Sequence, residues 1–82
     1  MKGENLIDRI VINPRVMVGK PIIRGTRLTV EHVLNQLANG ATEAEILDEY
    51  EGLERADIQA CLLFAAQSLQ STLFMPLSVD TA

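Results

Sequence analysis

The sequence predicts a single small domain, mainly α-helical with a minor N-terminal β element. Three observations predict it. Residues 29–71 hold three stretches with apolar residues at three- and four-residue spacing, parted by glycine-bearing corners. Residues 9–28 hold short β-branched runs punctuated by proline and glycine. A length of 82 residues suffices for one core only. A domain this small buries roughly 60% of the surface its unfolded chain exposes, so self-association would help, and a homodimer is expected.

Each element follows from its residues. LIDRIVIN, from Leu6 to Asn13, mixes β-branched residues with charges, is too short for a helix and runs into Pro14; it predicts a strand at about 9–12. Pro14 and Gly19 mark a loop, and a second extended segment is expected at about 22–28. Pro21 lacks an N–H, so it belongs at the start of such a strand or on an edge. Val30, Val33, Leu34, Leu37 and Ala38 define a helix over about 30–39, with Thr29 as N-cap and Asn39-Gly40 as its stop. Thr42-Glu43-Ala44-Glu45 has capping-box form and opens a second helix over about 43–50, which Glu51-Gly52 ends. A third, over about 55–71, is expected to turn Ile58, Leu62, Ala65, Ala66 and Leu69 inward. Its ACLLFAA centre is apolar around most of the circumference, as for a helix packed on two sides. Pro76 blocks further helix, so residues 1–71 read as the domain and 72–82 as a flexible tail.

Composition narrows the function. Cys61 is the sole cysteine, which excludes an intrachain disulfide and a cysteine-rich zinc site and fits a reducing cytoplasm. The start MKGENLIDRI lacks an apolar run of signal-peptide length, and no window approaches the roughly 18 apolar residues of a membrane span. The net charge of -4 conceals an asymmetry. Residues 1–30 carry Lys2, Arg9, Arg15, Lys20, Arg24 and Arg27 against Glu4 and Asp8, a net of +4; residues 31–82 carry nine acids against Arg55 alone, a net of -8. Two faces with different partners are expected, with any nucleic-acid contact in the first 30 residues.

The densest motif is Gly19-Lys20-Pro21-Ile22-Ile23-Arg24-Gly25-Thr26-Arg27. Its glycines permit close backbone approach, and its cations could grip phosphate or carboxylate groups, which makes Lys20, Arg24, Gly25, Thr26 and Arg27 the candidate binding residues. It is not a phosphate-binding Walker loop, because Pro21 follows Lys20 where Ser or Thr is required. The same residues would equally make a tight turn with solvated cations. Residues 43–71 are compatible with a helix-turn-helix, but acids crowd residues 42–57, and Glu54 and Asp57 at the third helix oppose the phosphate attraction on which DNA affinity depends. Those acids read as a solvated face, His32 as a solvated or capping residue, and Cys61 as a small buried thiol. With no nucleophile–base pair, paired carboxylates or metal motif, a binding module is expected in place of an enzyme, without a cofactor.

From Ile10 to about Leu69 the chain resembles the bacterial and archaeal family catalogued as domain of unknown function 433. The resemblance lies in Asn13-Pro14, the nine-residue Gly19–Arg27 signature, Val33-Leu34, Gly40, Thr42, Glu45-Ile46-Leu47 and the helix from Asp57-Ile58 to Ala65-Ala66. It implies a winged or homeodomain-like helix-turn-helix fold and the role of antitoxin to a toxin resembling PIN-domain ribonucleases. Members commonly place Ser or Thr before the third helix, where this chain has Glu54, a poorer cap. Three functions follow as expectations: an antitoxin-like protein whose Arg24 or Arg27 lies against a toxin's catalytic carboxylates; a regulator binding operator DNA, its own promoter included; or a dimerisation module built on the third helix and Phe74-Met75.

Overall fold

Two short strands and three helices are joined by tight corners, each set by local side-chain chemistry. In the computed structural model, which describes residues 5–70, a 3-10 turn spans Leu6–Arg9, β1 spans Ile10–Ile12 and β2 Pro21–Ile23; α1 covers Val30–Ala38, α2 Glu43–Glu49 and α3 Arg55–Gln70. The mainly helical class with a small N-terminal sheet is as expected. The former expectation of a flexible tail at 72–82 concerns residues outside those described.

The strands pair antiparallel, Ile10 opposite Ile23 and Ile12 opposite Pro21, so proline opens β2 as predicted. Two expectations about this region need correction. The first strand begins at Ile10, since residues 6–9 are wound into the 3-10 turn that Asn5 caps by accepting the Ile7 N–H. The second does not run through 22–28: β2 ends at Ile23, and residues 24–27 form a turn before Thr29 touches the sheet again through one bridge to Ile22. The Thr26 hydroxyl donates to the Ile23 carbonyl at 2.7 Å, an alternative to the ladder that Ser and Thr side chains offer the backbone.

The helix termini follow the sequence closely. Thr29 accepts the His32 N–H at 3.0 Å and caps α1. Thr42 and Glu45 form the full capping box of α2, with reciprocal bonds of 3.1 and 2.8 Å. Ile23, Val30, Val33, Ile46, Ile58 and Cys61 form the buried core, with Ile10, Leu28, Leu37 and Phe64 packed around it.

On α3 the inward face differs from the expected one. Asp57, Ile58, Ala60 and Cys61 are buried, whereas Leu62 is 46% and Leu69 61% exposed and Ala66 is exposed as well. The buried stripe advances by threes through Ile58, Cys61 and Phe64, which rotates Leu62 and Ala66 outward. Past Ala65 the helix outruns the core, and residues 66–70 all lie at the surface.

Candidate functional site

The nine-residue signature builds two structures with different surroundings. Its first part is the approach to β2. Met17, Val18 and Gly19 take left-handed φ values of 51°, 56° and 78° and lead into Lys20, whose Nζ donates to Glu31 Oε1 at 3.1 Å. Lys20 is thus engaged with the first turn of α1. This was not legible in the sequence.

Its second part is the turn after β2, where Arg24, Gly25, Thr26 and Arg27 are all exposed. The turn is braced at both ends. The Arg24 N–H donates to the Arg9 carbonyl at 2.7 Å, the Ile23 N–H to the Leu28 carbonyl at 3.0 Å, and the Leu28 N–H to the Thr26 hydroxyl at 3.0 Å. Gly25 has a φ of +82° with nothing within 4 Å of where a Cβ would lie, so the glycine serves the backbone conformation and not close packing. Thr26 therefore works as a turn-forming residue, and Arg24 and Arg27 are exposed positions on a backbone held by these bonds.

Across from this turn stands the corner between α2 and α3. Thr26, Arg27 and Leu28 form one wall and Glu49, Tyr50, Glu51 and Leu53 the other of a groove of about 440 Å³. The Tyr50 hydroxyl lies 2.8 Å from His32 Nε2, with the two rings edge to face at 6.1 Å. His32 is exposed, as expected, but it is joined to Tyr50 and so links α1 to this corner. No signal in the sequence marked a pair separated by 18 residues.

The largest departure from expectation concerns the acids at the start of α3. Asp57 is 7% exposed and belongs to no solvated face. Arg9 Nη1 donates to Asp57 Oδ1 and to Glu54 Oε1, both at 2.9 Å, while Asp57 Oδ2 accepts the Glu54 N–H at 2.8 Å. Asp57 thereby performs the reach-back half of a capping box that Glu54 could not open as Ser or Thr would. Nearby, Arg55 Nε lies 3.1 Å from Glu43 Oε1. Three cations, Arg9, Lys20 and Arg55, are thus matched with acids of the helical body.

Cys61 is fully buried, and that burial, together with the Asp57 charge one turn earlier, pushes its thiol up to about 11. It is a protonated core residue and a poor nucleophile at neutral pH. Among the described residues no group of three or more His, Cys, Asp or Glu could hold a metal ion, and no helix is long and apolar enough to cross a membrane.

Comparison with known proteins fixes the family. Residues 10–65, which contain the whole signature, match the family described as DUF433, protein of unknown function. The chain belongs to the DUF433 family. A solved structure described as the crystal structure of a DUF433 member protein from Anabaena variabilis ATCC 29413, at 2.00 Å resolution, is similar to it with 32% sequence identity and a TM-score of 0.72. That similarity covers 76% of this chain and 61% of the Anabaena chain, so this DUF433 protein spans about three-fifths of that relative. No curated protein matches it.

Proposed function

We propose that this DUF433 protein is an antitoxin-like binding protein, not an enzyme, that neutralises a PIN-like ribonuclease toxin in the cytoplasm. Arg24 and Arg27 lie against the toxin's acidic metal-binding site. The observation that carries the reading is the placement of Arg27. It stands exposed, with Arg24 beside it, on a turn whose backbone is braced on both sides, whereas Lys20 and Arg55 are engaged with carboxylates of the helical body. A guanidinium offers a planar, permanently charged fork that suits paired carboxylates, and a fixed backbone reduces the ordering that binding requires. Thr26 and Gly25 keep that turn in shape, and Lys20 positions the strand leading into it.

The same geometry weakens the reading in which operator DNA is the target. The start of α3, which a recognition helix would insert in the major groove, carries Glu54 and Asp57 and has Arg9 and its 3-10 turn packed against it. The deciding experiment is inhibition of the PIN-like ribonuclease encoded beside this gene by the wild type, Arg24→Ala and Arg27→Ala. Loss of inhibition in either variant, with the fold intact, is expected. Unchanged inhibition in both, or a steeply salt-dependent DNA affinity that requires these arginines, overturns the proposal.

A further inference from the structure

The groove beside the arginine turn carries opposite charges on its two walls. Arg27 stands on one, Glu49 and Glu51 on the other, and all three are exposed. Leu28, Tyr50 and Leu53, each packed against the core, give the same groove an apolar lining. The opposite charges do not neutralise each other. Among the described residues Arg27 forms no ion pair with either glutamate, and Glu51 takes no side-chain hydrogen bond, whereas Glu49 accepts from Gln36 Nε2 at 3.3 Å. Both walls are also set in place by the fold. The turn is braced between Ile23 and Leu28, and across from it the Tyr50 N–H donates to the Ile46 carbonyl and the Leu53 N–H to the Tyr50 carbonyl, both at 3.2 Å. The Tyr50 hydroxyl is held by His32 at 2.8 Å.

Charge decides what such a groove can take. A nucleic-acid strand laid in it would bring phosphates against Glu49 and Glu51, and like charges at that range repel. A purely cationic segment would meet Arg27 in the same way. The groove is matched by an occupant with an acid towards one wall, a base towards the other and an apolar group between them, a combination that a short polypeptide segment supplies. With a carboxylate against Arg27, the wall still unmatched is the one that carries Glu51. A preset groove also spares the ordering of its own walls when the segment enters.

We propose that Glu51 selects the toxin: the ribonuclease segment that enters this groove carries a Lys or Arg side chain opposite Glu51 and an apolar side chain against Leu28, Tyr50 and Leu53, beside the carboxylate taken by Arg27. This rests on the toxin-binding reading of the turn and adds to it a second contact of opposite sign. The two contacts together fix the direction of the segment, since end-for-end reversal would set acid against Glu51 and base against Arg27. A partner that offers only acids fills half of the groove and leaves Glu51 facing like charge.

The test is calorimetric titration of the full-length protein with the PIN-like ribonuclease encoded beside its gene, at about 0.15 M salt, where distant charges are screened. Wild type is compared with Arg27→Ala, Glu51→Gln, Glu51→Lys and Asp48→Lys, and circular dichroism establishes that each variant is folded. Asp48 is exposed on α2 and does not line the groove, so Asp48→Lys makes the same change of net charge as Glu51→Lys at a neighbouring site. The expected result is a graded loss, several-fold for Glu51→Gln and about tenfold or more for Glu51→Lys, with Asp48→Lys within about threefold of wild type. Loss in Arg27→Ala with wild-type affinity in both Glu51 variants overturns this proposal and leaves the proposed function standing. Tighter binding by Glu51→Lys, or an equal loss in Asp48→Lys, overturns it as well. Indifference of the complex to Arg27 and Glu51 alike overturns both. If light scattering shows that the free protein is a dimer and that Glu51→Lys dissociates it without weakening the complex, the groove belongs to a second copy and the proposal fails.

Discussion

Arg9 and Asp57, 48 residues apart, are joined at 2.9 Å by a bond in which both side chains are largely shielded from water. Arg9 serves two sites through that position: its guanidinium holds the start of α3, and its carbonyl holds the Arg24 N–H of the exposed turn. Removing one member of such a pair leaves the other charge in place without compensation. Arg9→Ala should therefore cost about 2–3 kcal/mol of stability, measured by urea unfolding. Glu54→Gln, at the solvent side of the same guanidinium, should cost only a few tenths. A loss below about 0.5 kcal/mol for Arg9→Ala would refute this assignment.

Val18 sits at φ 56° with its side chain 94% exposed, a backbone conformation that β-branched residues rarely adopt. Little apolar burial compensates the strain. Val18→Gly should raise stability by about 1 kcal/mol, since relief of roughly 1–3 kcal/mol of strain outweighs the added freedom of the unfolded chain. A thermal melt should show a midpoint several degrees higher, by about 4–8 °C for each kcal/mol in a domain of this size. An unchanged or lower midpoint contradicts the strain.

The Cys61 thiol makes stability sensitive to alkali. Its folded pKa, about 11, lies above the ordinary value of 9.0, so the unfolded chain gives up the proton first as pH rises. The contribution is complete below about pH 9 and is lost as pH climbs towards 11, on the order of 2 kcal/mol across that window. Cys61→Ala should flatten this part of the pH–stability curve, at the cost of a small cavity at all pH values. Thiol labelling of the native protein at neutral pH should be slow and should accelerate with urea.

Thr29→Ala tests a cap that is itself nearly buried. The His32 N–H loses its acceptor, and the expected loss is about 1–2 kcal/mol. Thr29→Ser, which keeps the oxygen, should recover most of it. If the serine variant is no better than the alanine variant, the loss comes from the methyl group and not from the cap.

What could be read in the sequence was local. The caps at Thr29 and Thr42, the proline opening β2 and the ends of α1 and α2 depend on residues within four positions of one another, and they stand where expected. The misread parts turned on longer range or on a choice between two local options. Residues 24–27 have strand-like neighbours, but the Thr26 hydroxyl and Gly25 favour a turn. Leu62 and Leu69 fit an ideal helical stripe, but the buried face of α3 runs through Ile58, Cys61 and Phe64 and the helix outruns the core past Ala65. The candidate site was legible as a cluster of cations. Which of those cations would be taken up by Glu31, Glu54 and Asp57 was not, because each pairing is made only once the helices have packed.

The link from Arg9 to Asp57 also sets an order of events during synthesis. At roughly 5–20 residues per second, Arg9 is made about 2–10 s before its partner exists. Through that interval α1 and α2 can form from local contacts, while the Arg9 guanidinium waits for its carboxylate. The clasp that joins the beginning of the chain to its longest helix thus closes only after the first turn of α3 has been made. It closes on a turn whose own backbone bonds, among Arg9 and residues 23–28, do not depend on it.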